Sequence, residues 1–167
     1  MRQWSLPWPL RGENRLNRFS ADDSYRRLQS CGGVGIMWNA LWIFIGSGLG
    51  GVARWGASGL IANRFGQTFP WGTLFVNVSG SFVIGLFATV TGPEGRWLAA
   101  PTFRQFFMLG ICGGYTTFSS FSLQTLTLAQ DGEWFRAAAN SVLSVALCLA
   151  GVWAGHLIAA AINSPAR

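Results

Sequence analysis

Thr73, Asn77, Ser81, Gly85 and Thr89 follow one another at intervals of four, and so do Asn140, Ser144 and Cys148, with Ser141 beside them. On helices this spacing sets residues in slowly drifting stripes. A third polar group sits in GICGGYTTFSSF at 110–121, where Thr116, Thr117, Ser119 and Ser120, with Ser122 just beyond, surround Phe118 and Phe121. The two phenylalanines are three apart and share a helix face. Hydroxyls, amide N–H groups and aromatic ring edges all present positive partial charge. Arg54 is the one clear cation within the apolar stretches, and no Asp or Glu falls inside them. Such a set suits an anion. The Gly113–Gly114 pair would loosen its helix, and the carbonyls freed there suit a hard cation such as sodium. A fixed cation would raise the local potential for anions. On physics alone, the hydroxyls serve equally well as hydrogen bonds between helices. The phenylalanines likewise serve as lipid contact or core.

These residues lie in four apolar spans, at about 38–60, 72–92, 103–127 and 135–162. Each reaches the ~20 residues that a helix needs to cross ~30 Å of hydrocarbon. Short loops join them, and Pro70, Pro93 and Pro101 fall in or beside the loops. Trp38, Trp71, Trp97 and Trp134 lie near helix ends, where interfacial aromatics belong. Gly46 and Gly50 form a GxxxG pair, as do Gly151 and Gly155, and both read as close helix packing. The expected architecture is an all-α integral membrane protein with four transmembrane helices and a break in the third. Only 11% of residues are charged, against about 25% in soluble domains. Cys31, Cys112 and Cys148 lie too far apart for a disulfide framework or zinc spacing and read as small buried hydrophobes.

Residues 1–36 are polar, arginine-rich and unpatterned, and composition predicts disorder there. They lack the apolar core of a signal peptide. LQSC at 28–31 and the Arg26–Arg27 pair lack the flanks of a lipoprotein or twin-arginine signal. All twelve basic residues are arginines, and six lie in this segment. No basic helix with interleaved aromatics tracks a phosphate backbone, so the positive charge does not point to nucleic acid. In 37–167, Arg96, Arg104 and Arg167 fall on one side of the spans, and Arg64 and Arg136 on the other. Three against two barely specifies orientation, so such a chain would insert both ways up. Six further arginines on one side would upset that balance. Met37 directly before the first span is therefore the expected start of the 37–167 four-helix membrane domain, with 1–36 an upstream extension.

GGVARW at 51–56, GTLFVNVSGSFVIG at 72–85 and GICGGYTTFSSFS at 110–122 together resemble the Fluc (CrcB-type) family of fluoride channels. The resemblance covers 37 to about 162. It implies an antiparallel, dual-topology homodimer, or a pairing with a paralogue, in the inner (plasma) membrane of a prokaryote. Fluoride would leave the cell passively through two pores. By motif, Asn77 matches the pore asparagine, and Phe118 and Phe121 the phenylalanines whose ring edges meet fluoride, with Ser119 and Ser120 nearby. Gly113 and Thr116 match positions whose carbonyls hold a structural, untransported sodium ion at the dimer interface. Arg54 matches a vestibule arginine. Asn140 and Ser144 occupy the polar track of the last helix, where Asn140 replaces a tyrosine of some members and Cys148 an expected serine.

Two other classes compete. Small multidrug exporters are also four-helix and dual-topology, but they need a membrane-embedded carboxylate for proton exchange, and the spans hold none. A non-transporting helix-bundle subunit would use the stripes for packing alone. An enzyme is not expected, because His156 is the only histidine and has no carboxylate or nucleophile placed near it in sequence.

Overall fold

A computed structural model describes residues 33–93 and 95–164, all of its regular structure helical. The expectation of disorder for 1–36 lies outside the described residues, except for 33–36. Those four open the first helix rather than preceding it. The chain divides after Met37, and the helices that build the site lie in the second unit.

Helix α1 spans Gly33–Phe65, beyond the expected boundary near residue 60. Asn63 and Arg64 are polar but helix-compatible, so nothing halts the helix before Gly66. There a φ of 83° ends it, and the Gly66 N–H closes on the Ala62 carbonyl at 2.9 Å. Helix α2, Trp71–Val90, starts after Pro70. Its 20 residues rise about 30 Å. The third segment is composite. It consists of α3 (Pro101–Gln105), a π-helical stretch (Phe106–Cys112), the single turn α4 (Gly113–Tyr115) and α5 (Phe118–Gln130). Helix α6 is Trp134–Asn163. Three helices, α1, α2 and α6, are each long and apolar enough to cross a membrane.

Helix α2 packs most extensively against α6, and α5 also packs on α6. Small residues set the contacts. A Cβ on Gly155 would press into the Phe82 carbonyl, and one on Gly151 would come within 3.0 Å of the Val78 carbonyl. On the other side, Gly46 of α1 faces Phe106 and Gly110, and Gly50 faces Ile111, Gly114 and Tyr115. At the end of α2, the Arg104 guanidinium donates to the Thr91 hydroxyl and to the Ala88 carbonyl, which ties α3 to that end.

The Gly113–Gly114 pair does not break the third segment. Both residues are helical, and Gly114 is a contact point: a Cβ there would sit 2.5 Å from the Ser47 carbonyl. The helix opens two residues later, where Thr116 and Thr117 are extended (ψ 159° and 111°).

The α1 contact makes a sharp prediction. Gly50→Val, forced against the Ile111 carbonyl, should cost about 1–3 kcal/mol of stability through overpacking. Gly48→Ala, whose Cβ meets nothing within 4 Å, should stay within about 0.5 kcal/mol of the parent. Thermal unfolding of the detergent-purified variants compares them, and equal midpoints would contradict the packing described.

Candidate functional site

The site is built on the opening between α4 and α5. In an unbroken helix the Thr117 N–H would bond the Gly113 carbonyl. Instead it donates to Asn77 Oδ1 at 2.7 Å, while Asn77 Nδ2 donates to the Thr117 carbonyl at 3.0 Å. The asparagine amide thus pairs with Thr117 as another peptide group would. The Thr117 side chain then starts the next helix. Its Oγ1 accepts from the Ser120 N–H at 3.2 Å, which is an N-cap. It also bonds the hydroxyls of Ser120 (3.0 Å) and Ser119 (3.2 Å).

Two carbonyls are left over. Among the described residues, no hydrogen bond reaches the Gly113 carbonyl. The Thr116 carbonyl takes one long contact, 3.4 Å, from Arg54 Nη1, and a carbonyl has a second lone pair to offer.

A groove of about 390 Å³ opens beside this break. Asn77 of α2, Gly113 and Thr116 at the break, Phe118 and Phe121 of α5, and Ser144 of α6 all border it. No carboxylate lines it. The two phenylalanine rings lie 5.1 Å apart and tilted by 49°. Phe121 is buried, but Phe118 is 75% exposed, so the groove is open on that side.

Four expected site residues do not line the groove. Ser119 and Ser120 serve the cap. Arg54 reaches the back of the break through Thr116. Asn140 is buried, only 1% exposed, and its Nδ2 donates to Thr125 Oγ1 at 2.8 Å. Thr125 in turn donates to the Phe121 carbonyl at 2.8 Å. The Ser144 hydroxyl reaches Asn140 Oδ1 at 3.5 Å. Thr125 was not singled out from the sequence, and its position four residues after Phe121 is the signal that could have found it. Ser79, bonded to the Tyr115 hydroxyl at 3.0 Å, is a second such residue and carries no comparable signal. His156 sits exposed, with Nδ1 2.9 Å from the Thr89 hydroxyl.

A larger cavity of about 670 Å³ lies where α1 and α5 end and α2 and α6 begin. Gln124, whose Oε1 is buried without a partner, borders it together with Thr73, Asp131 and Arg136.

A family model described as "CrcB-like protein, Camphor Resistance (CrcB)" matches residues 41–156. The chain belongs to the CrcB family. Proteins named "Fluoride-specific ion channel FluC" are among its relatives. The one from Rhodospirillum rubrum is 63% identical over 123 residues, covering 74% of this chain and 95% of the relative. That from Opitutus terrae is 59% identical over 124 residues, covering 74% and 94%. That from Methylocella silvestris is 57% identical over 123 residues, again 74% and 94%. The CrcB match contains the break, Asn77, Arg54 and every residue named above as bordering the groove.

Asn77 is the test of how the CrcB break is held. Asn77→Ala leaves a part-buried N–H and C=O of Thr117 unpaired, which should cost about 1–3 kcal/mol. Ser81→Ala, on the same helix, removes no side-chain hydrogen bond made among the described residues and should be close to neutral. Amide exchange at Thr117 should quicken in the Asn77 variant alone; unchanged protection there would rule out the pairing.

Proposed function

We propose that this chain is a fluoride-specific ion channel that lets fluoride leave the cytoplasm down its electrochemical gradient. The observation that carries a path is the groove, where an amide, hydroxyls and two aromatic rings meet without a carboxylate. Fluoride as the ion follows from relatives more than half identical that carry that name. Donor groups and ring edges that replace a hydration shell select by close-range coordination and by size. The membrane potential, worth ~2.3 kcal/mol per charge per 100 mV, drives the anion outward without ATP or a proton.

In this reading the composite third segment is a fourth span, and the working unit is two chains in inverted orientation in a prokaryotic inner membrane. The arginines beside the described spans support indifference to orientation, with Arg96 and Arg104 on one side and Arg64 and Arg136 on the other. Asn77, Phe118, Phe121 and Ser144 line the path. Ser119, Ser120 and Asn140 shape it from behind, and Arg54 lends positive potential at the break.

The Gly113 and Thr116 carbonyls fit a hard cation such as sodium, because both lack a helix hydrogen bond and both residues border the groove. Bound there, the ion would supply fixed positive charge near the anion path. Arg54 and the cation would share the Thr116 carbonyl, one on each lone pair.

The test is fluoride release from liposomes holding the full chain, read with a fluoride electrode, with chloride as the control ion. Rapid fluoride release without chloride release is expected. Phe118→Ile should fold and pair normally yet lose most of that release. Folded wild-type protein that releases neither ion, or both alike, would defeat the proposal.

A further inference from the structure

Three sulfur side chains border the same groove. Met108 and Cys112 line the wall made by the π-helical stretch, and Cys148 lines the wall made by α6. Both cysteines are free thiols. Cys112 is 4% exposed, and it borders the groove. Between the two walls, α2 contributes Gly80 and Ser81.

The donor chemistry narrows the ligand. Neither carboxylate nor imidazole lines the groove, and these are the side chains that hold magnesium, calcium and most zinc. Thiolate and thioether are soft donors that favour soft, thiophilic ions. Two thiols and one thioether fall short of the four nitrogen or sulfur ligands of a structural zinc site. They are sufficient for ions content with two or three sulfurs.

We infer that this groove is a binding site for one thiophilic metal ion per chain, held by the thiols of Cys112 and Cys148 from opposite walls, with the Met108 thioether beside Cys112. With a mercuric ion, two S–H bonds break and two S–Hg bonds form. Two protons leave to water, and no electron changes hands. A metal held there fills the space that Asn77, Phe118 and Ser144 border, so it stops ion passage. The metal site itself stands apart from the fluoride reading, and only its blocking effect rests on that reading.

The experiment uses the full chain with Cys31→Ser, which removes the remaining thiol, titrated with mercuric chloride. One mercury should bind per chain, and both thiols should vanish together from reaction with a thiol-specific chromophore. The adduct should resist a small competing monothiol. In Cys112→Ala or Cys148→Ser on the same background, the same monothiol should strip the metal. In liposomes, mercury should abolish fluoride release. Washing with the monothiol should restore release in either single-thiol variant but not in the two-thiol chain. Two mercury ions per chain, one on each thiol and each indifferent to loss of the other, would overturn the shared site. Thiols that fail to react in the folded protein would overturn it as well. Stoichiometric, wash-resistant binding in a protein that releases no fluoride even without metal would support the metal site and count against the channel reading.

Discussion

A backbone that leaves its helix inside hydrocarbon must find partners for every N–H and C=O it frees. With the third segment as the proposed fourth span, that constraint organises this protein. The third segment opens at Thr116–Thr117, and the Asn77 amide closes on Thr117 with bonds of 2.7 and 3.0 Å. One side chain from α2 thereby stands in for the helix turn. Thr117 then caps α5 with its own hydroxyl, so the helix restarts at once and Phe118 falls at its first position. The same opening leaves the Gly113 and Thr116 carbonyls without helix partners, in two residues that border the groove. Rings, hydroxyls and carbonyls meet at one place because a single interruption put them there.

Helix α1 supports the break from behind, and it does so in register. Gly46, Gly50, Arg54 and Ser58 recur at intervals of four. The first two accept the π-helical stretch and α4 at backbone distance. The third puts its guanidinium on the Thr116 carbonyl, and the fourth meets Gly72 at the start of α2. A side chain larger than hydrogen at Gly50 would hold α4 away and carry the Thr116 carbonyl beyond Arg54. Close packing of small residues and placement of the charge are therefore one requirement.

Much of this was legible in the sequence, and the remainder shows why local signals stop short. The polar stripes, the GxxxG contacts, the helical class and the family motifs all follow from residue types and spacing. The stripe on α2 reads as a single lining, yet its members divide among neighbours. Asn77 meets the break, Ser81 borders the groove, Gly85 receives Val152 of α6, and Thr89 meets His156. Steps of four advance about 40° beyond a full turn of 3.6 residues, so a stripe this long winds from one neighbour to the next. The position of the break was misread for a related reason. Glycine weakens a helix by only about 1 kcal/mol, and contact with Ser47 keeps Gly114 helical. The opening occurs at two β-branched residues, where a partner 40 residues away in sequence supplies what the backbone loses. No window of local sequence contains that partner.

The groove also bears on assembly. Its rim carries Phe118, Val145 and Leu149, all well exposed in the single chain. Less exposed than that rim are the Asn77 amide and the hydroxyls of Ser81, Thr116 and Ser144. Apolar rim residues are at ease against lipid, but the polar floor is not, since hydrocarbon offers it neither donor nor acceptor. Within a membrane such a surface needs protein or a hydrated cavity over it. The proposed inverted pair would supply both. A second chain would cover the rim, and the space enclosed between rim and floor would hold water and an ion rather than lipid. Were the chain to insert both ways up, as proposed, it would provide that second copy from the same pool, and no internal repeat would be needed to build the inverted half.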